Sequence, residues 1–493
     1  MAVARRLALL GVGLAALLAA ISNPSGGGAN LPLAAQRSDW ATYGFDLQRS
    51  GFNPDEISVG PRSAGKLHAL WRRSLDGVAA ASPVVASRVR TPAGPAVLVY
   101  VGTEHGELVA LNAATGEVEW RDRLGSVRTA CYDLPDHMAG ISGTPVVDRS
   151  TGRLYVAVSD GPRSGVLVYA VGLATGVVSP GWPVAISTDP AHMHVWGALT
   201  LRNGTLYVTM ASLCDASPSY GRVVAVDTRR ARIAARWFVV HDEGSIVGGG
   251  GIWGYGGASI DPADGSVYVA TGNALPPEPE GQPYADRVVR LTPSLELVDS
   301  HHPALTGRDV DFGTTPMLFQ PPGCPPLLAA ENKVGALFVY DRDAIGAGPL
   351  QRIQIAGSAS TAGLGRFIGV PAYSPVTGLV YVSNPGPDAL HFAHGMVALR
   401  PGPDCRLRLA WQRRVPTGTM TVSSPTVANG VVYFGTGGGD RVFAFDAATG
   451  RALWDSGSSM RGAVFAPPVV VDGMVFAASW IGPKTGEVVA FGP

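Results

Sequence analysis

A repeated phrase dominates the sequence. Residues 97–120 read VLVYVGTEHGELVALNAATGEVEW, and residues 431–454 read VVYFGTGGGDRVFAFDAATGRALW. In each copy two β-rich runs flank a glycine turn, and an Ala-Thr-Gly turn then leads to a run that ends on tryptophan. An apolar run marked by proline precedes each copy, at Pro83 and Pro425. Each unit therefore predicts four short antiparallel strands. A unit of this kind buries its faces only by stacking on further copies.

The same pattern predicts a closed ring. Runs that resemble the first strand recur near Pro83, Pro145, Ala198, Gly257, Pro316, Pro371, Pro425 and Pro467. We therefore predict an all-β, eight-bladed β-propeller of four-stranded antiparallel blades. The last unit stops after its third strand, whereas Trp71 stands where Trp120 and Trp454 stand in their copies. We expect the N-terminal strand around Trp71 to complete the last blade, which leaves no open edge. The polar and aromatic residues 39–53 are expected to pack across the ring.

The N-terminus reads as an export signal. An arginine pair precedes the apolar run Leu7–Ile21, which is short for a membrane span. We predict a signal peptide over residues 1–22, a flexible leader over 23–38, and a single propeller domain over 39–493. The protein would then be secreted or held in the periplasm or cell envelope. It would contact a membrane only through an uncleaved signal.

Charge and cysteine content narrow the possible partners and chemistry. The 38 basic and 38 acidic residues balance, so the composition argues against a nucleic-acid-binding surface. Four cysteines in an exported protein form an even set with three possible pairings. We favour Cys131 with Cys214 and Cys324 with Cys405, since each bond would join neighbouring blades. The absence of CxxC and CxxCH from the sequence argues against structural zinc and covalently attached haem.

The repeat resembles that of a known family. In its strongest copies, Ala110–Trp120 and Ala444–Trp454, it reads A-x-(D/N)-A-x-T-G-x-x-x-W. This resembles the repeat of the quinoprotein alcohol dehydrogenases, and the resemblance covers nearly the whole chain after residue 39. It implies an eight-bladed propeller that holds pyrroloquinoline quinone (PQQ) and calcium at its axis. Cofactor-free relatives, such as the periplasmic scaffold of outer-membrane protein assembly, share the repeat, so the repeat leaves the cofactor open.

The central third of the chain carries a more specific likeness. GGIW at 250–253, DP at 261–262 and VATGN at 269–273 are similar to the family's GGxxW…DP…GTGN stretch. In the family the tryptophan is the floor on which the quinone stacks, and the asparagine is a calcium ligand. The resemblance implies these roles for Trp253 and Asn273. A flat quinone suits an aromatic face, and Ca²⁺ suits oxygen ligands. The alternative is that Trp253 is another wedge between blades.

Two further stretches imply a base and a cation. RDVDFG looks like the family's DxD segment, which carries the catalytic aspartate. It implies Asp311 as the general base on a substrate hydroxyl, with Asp309 as second choice, whereas the alternative is a solvated loop carboxylate. ENKVG is similar to the family's K/R-x-G stretch, whose cation contacts the quinone oxygens. Lys333 fits that role, and the alternative is a structural pair of Lys333 with Glu331.

The chain also departs from the family pattern. The dehydrogenases commonly carry two adjacent cysteines over the quinone, and the corresponding region here has Cys131 alone. A family glutamate that contacts the quinone is replaced by Ala80. The family's calcium-binding glutamate in the third blade has no clear match. Asp215 is the nearest carboxylate there and joins Asn273 and Asp311 as a candidate metal ligand.

A histidine pair precedes the third blade. On a strand, the rings of His192 and His194 in DPAHMHVWGAL would point to one face, as metal ligands do. No third ligand is evident in the sequence. We therefore favour two histidines that are satisfied by local hydrogen bonds.

Two functions from different classes follow. In the first, PQQ and Ca²⁺ bind over Trp253, and Asp311 deprotonates a small-molecule alcohol or polyol. Electrons would pass to a separate acceptor, because the chain has no haem motif. In the second, the protein is a cofactor-free scaffold or binding module of the cell envelope that holds an unknown partner. Convergence of Trp253, Asn273, Asp311 and Lys333 on one axial pocket would favour the first.

Overall fold

The architecture is read from a computed structural model. It describes residues 38–161, 163, 165–242, 248–275, 283–304, 310–356, 369–385, 391–416 and 423–493. Within these residues the chain forms 36 strands and short 3-10 helices at Ala64–Lys66, Ile345–Ala347 and Gly457–Ser459. None of the helices in this part of the chain is long and apolar enough to cross a membrane. The predicted signal peptide and all but the last residue of the predicted leader lie outside the described residues.

The strands follow one another along the chain with short turns. Strands β1 to β12 are Phe52–Asn53, His68–Asp76, Val84–Thr91, Gly94–Gly102, Glu107–Asn112, Val118–Arg123, Val127–Arg128, Met138–Ala139, Val146–Asp148, Arg153–Asp160, Gly165–Gly172 and Val184–Ser187. Strands β13 to β24 are Met193–His194, Thr200–Arg202, Thr205–Ser212, Arg222–Asp227, Arg232–Phe238, Ser259–Ile260, Val267–Ala270, Val288–Leu291, Leu297–His301, Met317–Phe319, Leu327–Glu331 and Ala336–Asp341. Strands β25 to β36 are Gln351–Gln354, Ala372–Ser374, Leu379–Asn384, Gly395–Pro401, Leu407–Arg414, Thr426–Ala428, Val431–Thr436, Arg441–Asp446, Ala452–Asp455, Val469–Val471, Met474–Trp480 and Thr485–Gly492.

These strands build eight blades, as predicted. Blades 1 to 4 are β3–β6, β9–β12, β14–β17 with β13 on β15, and β18–β21. Blades 5 to 7 are β22–β25, β26–β29, and β30–β33 with β1 parallel to β30. Blade 8 contains β34–β36 and the N-terminal β2. The first strand of every blade begins within two residues of its predicted position. Apolar side chains fill a separate layer between each pair of successive blades.

The ring closes through its N-terminal strand, as predicted. Strand β2 pairs antiparallel with β36, from His68 opposite Gly492 to Asp76 opposite Thr485. The second strand of the chain and the last strand therefore lie in one blade, and the edge of β36 is covered. This pairing removes the exposed edge that could template aggregation.

The repeated tryptophan and the glycine of the Ala-Thr-Gly turn form one packing unit. The pairs are Trp71 with Gly116, Trp120 with Gly176, and Trp411 with Gly450. In these pairs a Cβ added to the glycine would lie 2.6, 2.6 or 2.4 Å from the indole ring of the preceding blade. The same glycines have φ near +70°, which disfavours residues with a Cβ. Each indole N–H also donates to a carbonyl oxygen of the next blade, at 2.8 to 3.0 Å. Contacts between neighbouring blades therefore explain why this tryptophan and this glycine recur in the sequence.

Residues 40–53 run once around the inside of the ring. They hydrogen-bond, in chain order, to residues in or beside the first strands of blades 1 to 8, namely Val85, Val147, Leu199, Ile260, Leu318, Tyr373, Val427 and Val470. The buried Arg49 guanidinium holds the segment by donating to Thr42 Oγ1 at 2.8 Å and to the Tyr43 carbonyl at 2.9 Å. It also bonds the hydroxyl of Thr200 in blade 3. The segment therefore ties together the first strands of all eight blades.

Both favoured disulfides form, Cys131–Cys214 and Cys324–Cys405. The second joins hairpins of neighbouring blades 5 and 6, as expected. The first differs from the expectation, because it joins the connection after blade 1 to a turn of blade 3. It therefore spans blade 2.

Candidate functional site

The turn between the second and third strands of blade 5 is fastened to the segment that enters the blade. Thr314 Oγ1 donates to the carbonyl of Glu331 at 2.9 Å and accepts from its N–H at 3.0 Å. The Lys333 N–H donates to the carbonyl of Asp311 at 2.9 Å. These bonds place Asp311 and Lys333 side by side although they are distant in the chain.

Three of the predicted site residues converge here. Lys333 Nζ lies 2.9 Å from Asp311 Oδ1. It also lies 5.8 Å from the centre of the Trp253 ring, within the range of a cation–π contact. The Asp311 side chain is fully buried, whereas that of Lys333 is 16% exposed. The ammonium therefore compensates a carboxylate that has been taken out of water. The structure brings an aromatic face, a cation and an acid together at the axis.

Two glycines shape the space around Trp253. A Cβ at Gly272 would lie 2.6 Å from Trp253 Nε1 and 2.7 Å from Asp311 Oδ2. A Cβ at Gly251 would lie 2.7 Å from the same indole. The Gly272 N–H donates to the Gly251 carbonyl at 2.7 Å and holds the two turns together. These close approaches explain why glycine stands in GGIW and in VATGN.

Asn273 follows this cradle directly. It is half-buried, and its Nδ2 donates to the Ala274 carbonyl at 3.3 Å. Its own carbonyl accepts from the Gly250 N–H at 2.7 Å. Its amide oxygen and the carboxylate of Asp311 are hard oxygen donors of the kind that Ca²⁺ takes. Ca²⁺ takes about six to eight oxygen ligands, and Asn273 and Asp311 stay the predicted protein donors near Trp253.

Of the other two predicted residues, the structure describes one. Asp215 is exposed on a turn of blade 3 beside the disulfide. In the described residues, the one close group of three His, Cys, Asp or Glu ligand atoms is Cys131, Asp133 and Cys214. Its two sulfurs are joined to each other, so it is not a metal site. Asp309 lies outside the described residues.

Glu331 does not pair with Lys333. Among the described residues its Oε1 has no hydrogen-bond partner, although its side chain is buried. Burial raises the pKa of the Glu331 carboxyl well above its usual range. Lys333 lies two residues beyond the end of strand β23, in the turn that is held to Asp311. The alternative of a Lys333–Glu331 pair is therefore wrong.

Sequence reasoning missed a second polar cluster, centred on Glu104. Its carboxylate accepts from Ser142 Oγ at 2.6 Å and from the Gly140 N–H at 3.1 Å. Burial raises the pKa of Glu104 to about 7, against the effect of these hydrogen bonds. One departure from the repeat pointed to Glu104. A glutamate follows the Gly-Thr pair of blade 1, whereas a glycine, Gly437, follows the Gly-Thr pair of blade 7.

His194 extends this cluster. Its Nε2 lies 2.5 Å from Ser142 Oγ, and its Nδ1 lies 2.7 Å from Ser159 Oγ. Burial lowers the pKa of His194 to about 3, so the ring is neutral. His192 instead lies 2.8 Å from Asp189. Both histidines are therefore satisfied by hydrogen bonds, as predicted, although His194 lies in a short strand and its partners are distant in the chain.

An aromatic pair connects the two clusters. The His194 ring meets Trp196 edge to face, with ring centres 5.0 Å apart. Trp196 in turn lies 6.4 Å from Trp253. Its N–H donates to the Ser212 carbonyl at 2.8 Å, which fixes the indole. Contacts thus run from Glu104 through two indoles to Lys333.

A third group lies nearer the surface. His105 bonds Asp76, at 2.7 Å from Nδ1, and Asp136 through Nε2. Partial burial lowers the pKa of His105, but the hydrogen bonds to the two carboxylates outweigh it, so the pKa is raised. Arg123 also pairs with Asp76. This group joins the closing strand of blade 8 to blade 1.

The fold and repeat agree with a known family. The family described as outer membrane protein assembly factor BamB, built of PQQ-like repeats, matches residues 62–234 and 407–491, more than half of the chain. The chain belongs to this PQQ-repeat propeller family. Over 456 residues it is 25% identical to the polyvinylalcohol dehydrogenase of Sphingopyxis sp. (strain 113P3), which covers 79% of this chain. The match spans 66% of that relative, about two thirds of its length.

Solved structures of two dehydrogenases share this fold. A quinohemoprotein alcohol dehydrogenase from Pseudomonas putida HK5 superposes with a TM-score of 0.68 at 18% identity, over 95% of this chain and 82% of that one. A europium-containing methanol dehydrogenase gives a TM-score of 0.68 at 14% identity, over 92% of this chain and 98% of that one. At these identities the likeness establishes the architecture.

Proposed function

We propose that this PQQ-repeat propeller is a dehydrogenase that oxidises an alcohol or polyol with PQQ and calcium at its axis. The observation that carries the proposal is the convergence of Asp311, Lys333 and Trp253 at the axis. The similarity to a polyvinylalcohol dehydrogenase supports the same class of substrate. Two disulfides support an oxidising compartment outside the cytoplasm.

The residues at the axis fit the proposed cofactor. Trp253 is half-buried and offers a flat surface, and Lys333 would contact the quinone oxygens. Asn273 and Asp311 would supply oxygen ligands to calcium, and Asp215 remains a predicted ligand. When bound, the quinone supplies a two-electron acceptor for the hydride of the alcohol carbon.

The protein itself supplies the base. Asp311 Oδ1 pairs with Lys333, while Oδ2 lies beside Gly272 on the side of Trp253. Oδ2 would take the hydroxyl proton as the alcohol is oxidised. The lysine stabilises the carboxylate form and holds its orientation. Burial of the pair keeps water away from the reacting centre. Electrons then leave to a separate acceptor.

The test is to load purified protein with PQQ and Ca²⁺ and to follow dye reduction with a panel of alcohols. Asp311→Asn should keep quinone binding and lower turnover by about 10²-fold or more, since it removes the base. Asp309→Asn is the matched control and should leave turnover near wild type. A larger loss in Asp309→Asn than in Asp311→Asn would assign the base to Asp309. Failure of wild-type protein to bind quinone would overturn the proposal.

A cofactor-free scaffold is the second candidate, favoured by particular residues. Ala80 is buried where the dehydrogenases carry a glutamate. Cys131 has no adjacent cysteine and bonds Cys214 instead. In this case the protein would bind no quinone, and Trp253→Ala would leave capture of a defined envelope partner unchanged.

A further inference from the structure

Four buried polar side chains form an unbranched chain of hydrogen bonds beside the candidate site. Glu104, Ser142, Ser159 and His194 come from three blades or their connections, and each is at most 1% exposed. The links measure 2.6 Å from Ser142 to Glu104, 2.5 Å from Ser142 to His194, and 2.7 Å from His194 to Ser159. We propose that these residues form a proton-responsive relay, in which protonation of Glu104 exchanges the tautomer of His194 beside Trp196 and Trp253.

Hydrogen counting gives two states of this chain. A neutral imidazole has one N–H and one bare nitrogen, and a serine hydroxyl has one hydrogen. When Glu104 is ionised, Ser142 must donate to it, so Ser142 accepts from Nε2–H of His194. Nδ1 is then bare and accepts from Ser159. Every hydrogen in this state points toward the carboxylate.

Protonation of Glu104 reverses the order. The new O–H donates to Ser142, whose own hydrogen then turns to Nε2 of His194. The imidazole carries its hydrogen on Nδ1 and donates to Ser159. Each hydrogen moves one link along the chain: that of Ser142 passes to Glu104, that of Nε2 passes to Ser142, and that of Ser159 passes to Nδ1. Ser159 takes one proton from solvent, so Glu104 gains one hydrogen while the number on His194 and the two serines is unchanged. The imidazole stays neutral in both states, in agreement with the lowered pKa of His194.

Burial makes this exchange accessible near neutral pH, because it is the main cause that raises the pKa of Glu104 to about 7. That pKa includes smaller contributions: the hydrogen bonds from Ser142 and Gly140 lower it, the charge of Asp136 raises it, and that of His105 lowers it. Asp136 lies on the connection to blade 2, and His105 lies on the same turn as Glu104. Tyr255, on the connection before blade 4, feels the charge of Glu104 in return, and its pKa is raised mainly by burial.

The relay reaches the site through its aromatic contacts. His194 lies edge to face with Trp196 at 5.0 Å, and Trp196 packs on Trp253 at 6.4 Å. An exchange of N–H and bare nitrogen reverses the dipole that His194 presents to Trp196. The electric field at the two indoles therefore depends on the state of Glu104. The effect on quinone binding rests on the proposed function, whereas the relay itself does not.

The direct test is nitrogen-15 NMR of protein labelled on histidine, because imidazole nitrogens with and without hydrogen have distinct shifts. The His194 signals are assigned by their loss in His194→Asn. From about pH 9 to about pH 5 we expect the hydrogen to pass from Nε2 to Nδ1, with one transition. Glu104→Gln should hold one tautomer throughout. A pH-independent tautomer in wild type, or a transition that persists in Glu104→Gln, would overturn the relay.

A second readout covers the case in which a variant folds poorly. Tryptophan fluorescence of cofactor-free wild type should show the same transition, and Trp196→Phe should lose it. Ser142→Ala, which cuts the chain and removes no charge, should also lose it. Glu487→Gln is the control, since that buried carboxylate in blade 8 pairs with Arg461 and Arg72. Persistence of the transition in Ser142→Ala would contradict the relay.

The link to the site is tested with PQQ as the probe. Its dissociation constant should change several-fold between about pH 6 and about pH 8 in wild type and stay constant in Glu104→Gln. Quinone binding with no pH dependence would leave the proposed function intact and contradict the coupling. Absence of quinone binding together with a normal NMR transition would contradict the proposed function and leave the relay intact.

Discussion

Blades 1 and 5 lie opposite each other in the ring. They have one backbone hydrogen bond in common, but the side chains at that position differ. In blade 1 the Glu104 N–H donates to the Val78 carbonyl at 3.0 Å. In blade 5 the Lys333 N–H donates to the Asp311 carbonyl at 2.9 Å. Val78 and Asp311 each stand five residues before the proline that introduces their blade. Glu104 and Lys333 therefore occupy equivalent positions.

The difference between the blades lies in the residue that supplies the carbonyl. Asp311 adds a carboxylate that pairs with Lys333 and holds it toward Trp253. Val78 has no polar side chain, so Glu104 turns to Ser142 instead. The repeat therefore fixes the backbone position of this residue. The side chain on the segment that enters the blade determines the direction in which it points.

The largest effect is expected from giving blade 5 the residue of blade 1. Asp311→Val removes the carboxylate that pairs with the Lys333 ammonium, which should cost about 3 to 5 kcal/mol of unfolding free energy. Dehydrogenase turnover should fall to background. The matched variant Asp311→Val with Lys333→Met should recover most of the stability and none of the turnover. Urea unfolding and dye reduction measure the two effects, and full turnover in the single variant would contradict the assigned base.

A smaller effect is expected from Glu104, whose pKa is raised from 4.5 to about 7 in the folded protein. Between these values the folded state binds more protons than the unfolded state, so stability falls as pH rises. The loss through this group should reach about 3 kcal/mol by pH 7 and then level off. Urea unfolding across this range should show the slope in wild type and lack it in Glu104→Gln. Equal slopes in the two proteins would contradict the prediction.

The smallest effect is expected from His105, which is partly exposed. Its pKa is raised in the folded protein, so its contribution is complete below the unfolded value of about 6.5 and is lost as pH rises through the folded value. Solvent screening limits the contribution to less than about 1 kcal/mol. His105→Gln should flatten this part of the profile above neutral pH. An unchanged profile would show that the two carboxylates do not depend on the histidine.

The fold was readable from the sequence because its signals are local and repeated. Trp71, Trp120 and Trp411 each pack on the glycine of an Ala-Thr-Gly turn in the next blade, and the same short phrase recurs along the chain. Trp253, Asp311 and Lys333 were readable through their likeness to a family motif. The Lys333 partner was not, because Glu331 is nearer in the chain and only the folded turn directs the side chain to Asp311. The Glu104 chain was also hidden, since its members come from separate segments.

Residues 40–53 touch the first strands of all eight blades in order, which bears on how the molecule assembles. The segment synthesised before any blade acquires its last partner, Val470, only when blade 8 exists. Strand β2 likewise waits for β36. Contacts this distant in the chain slow folding and couple its parts. The ring is thus expected to fold as one cooperative unit, because the N-terminal segment completes its contacts only when all eight blades are present.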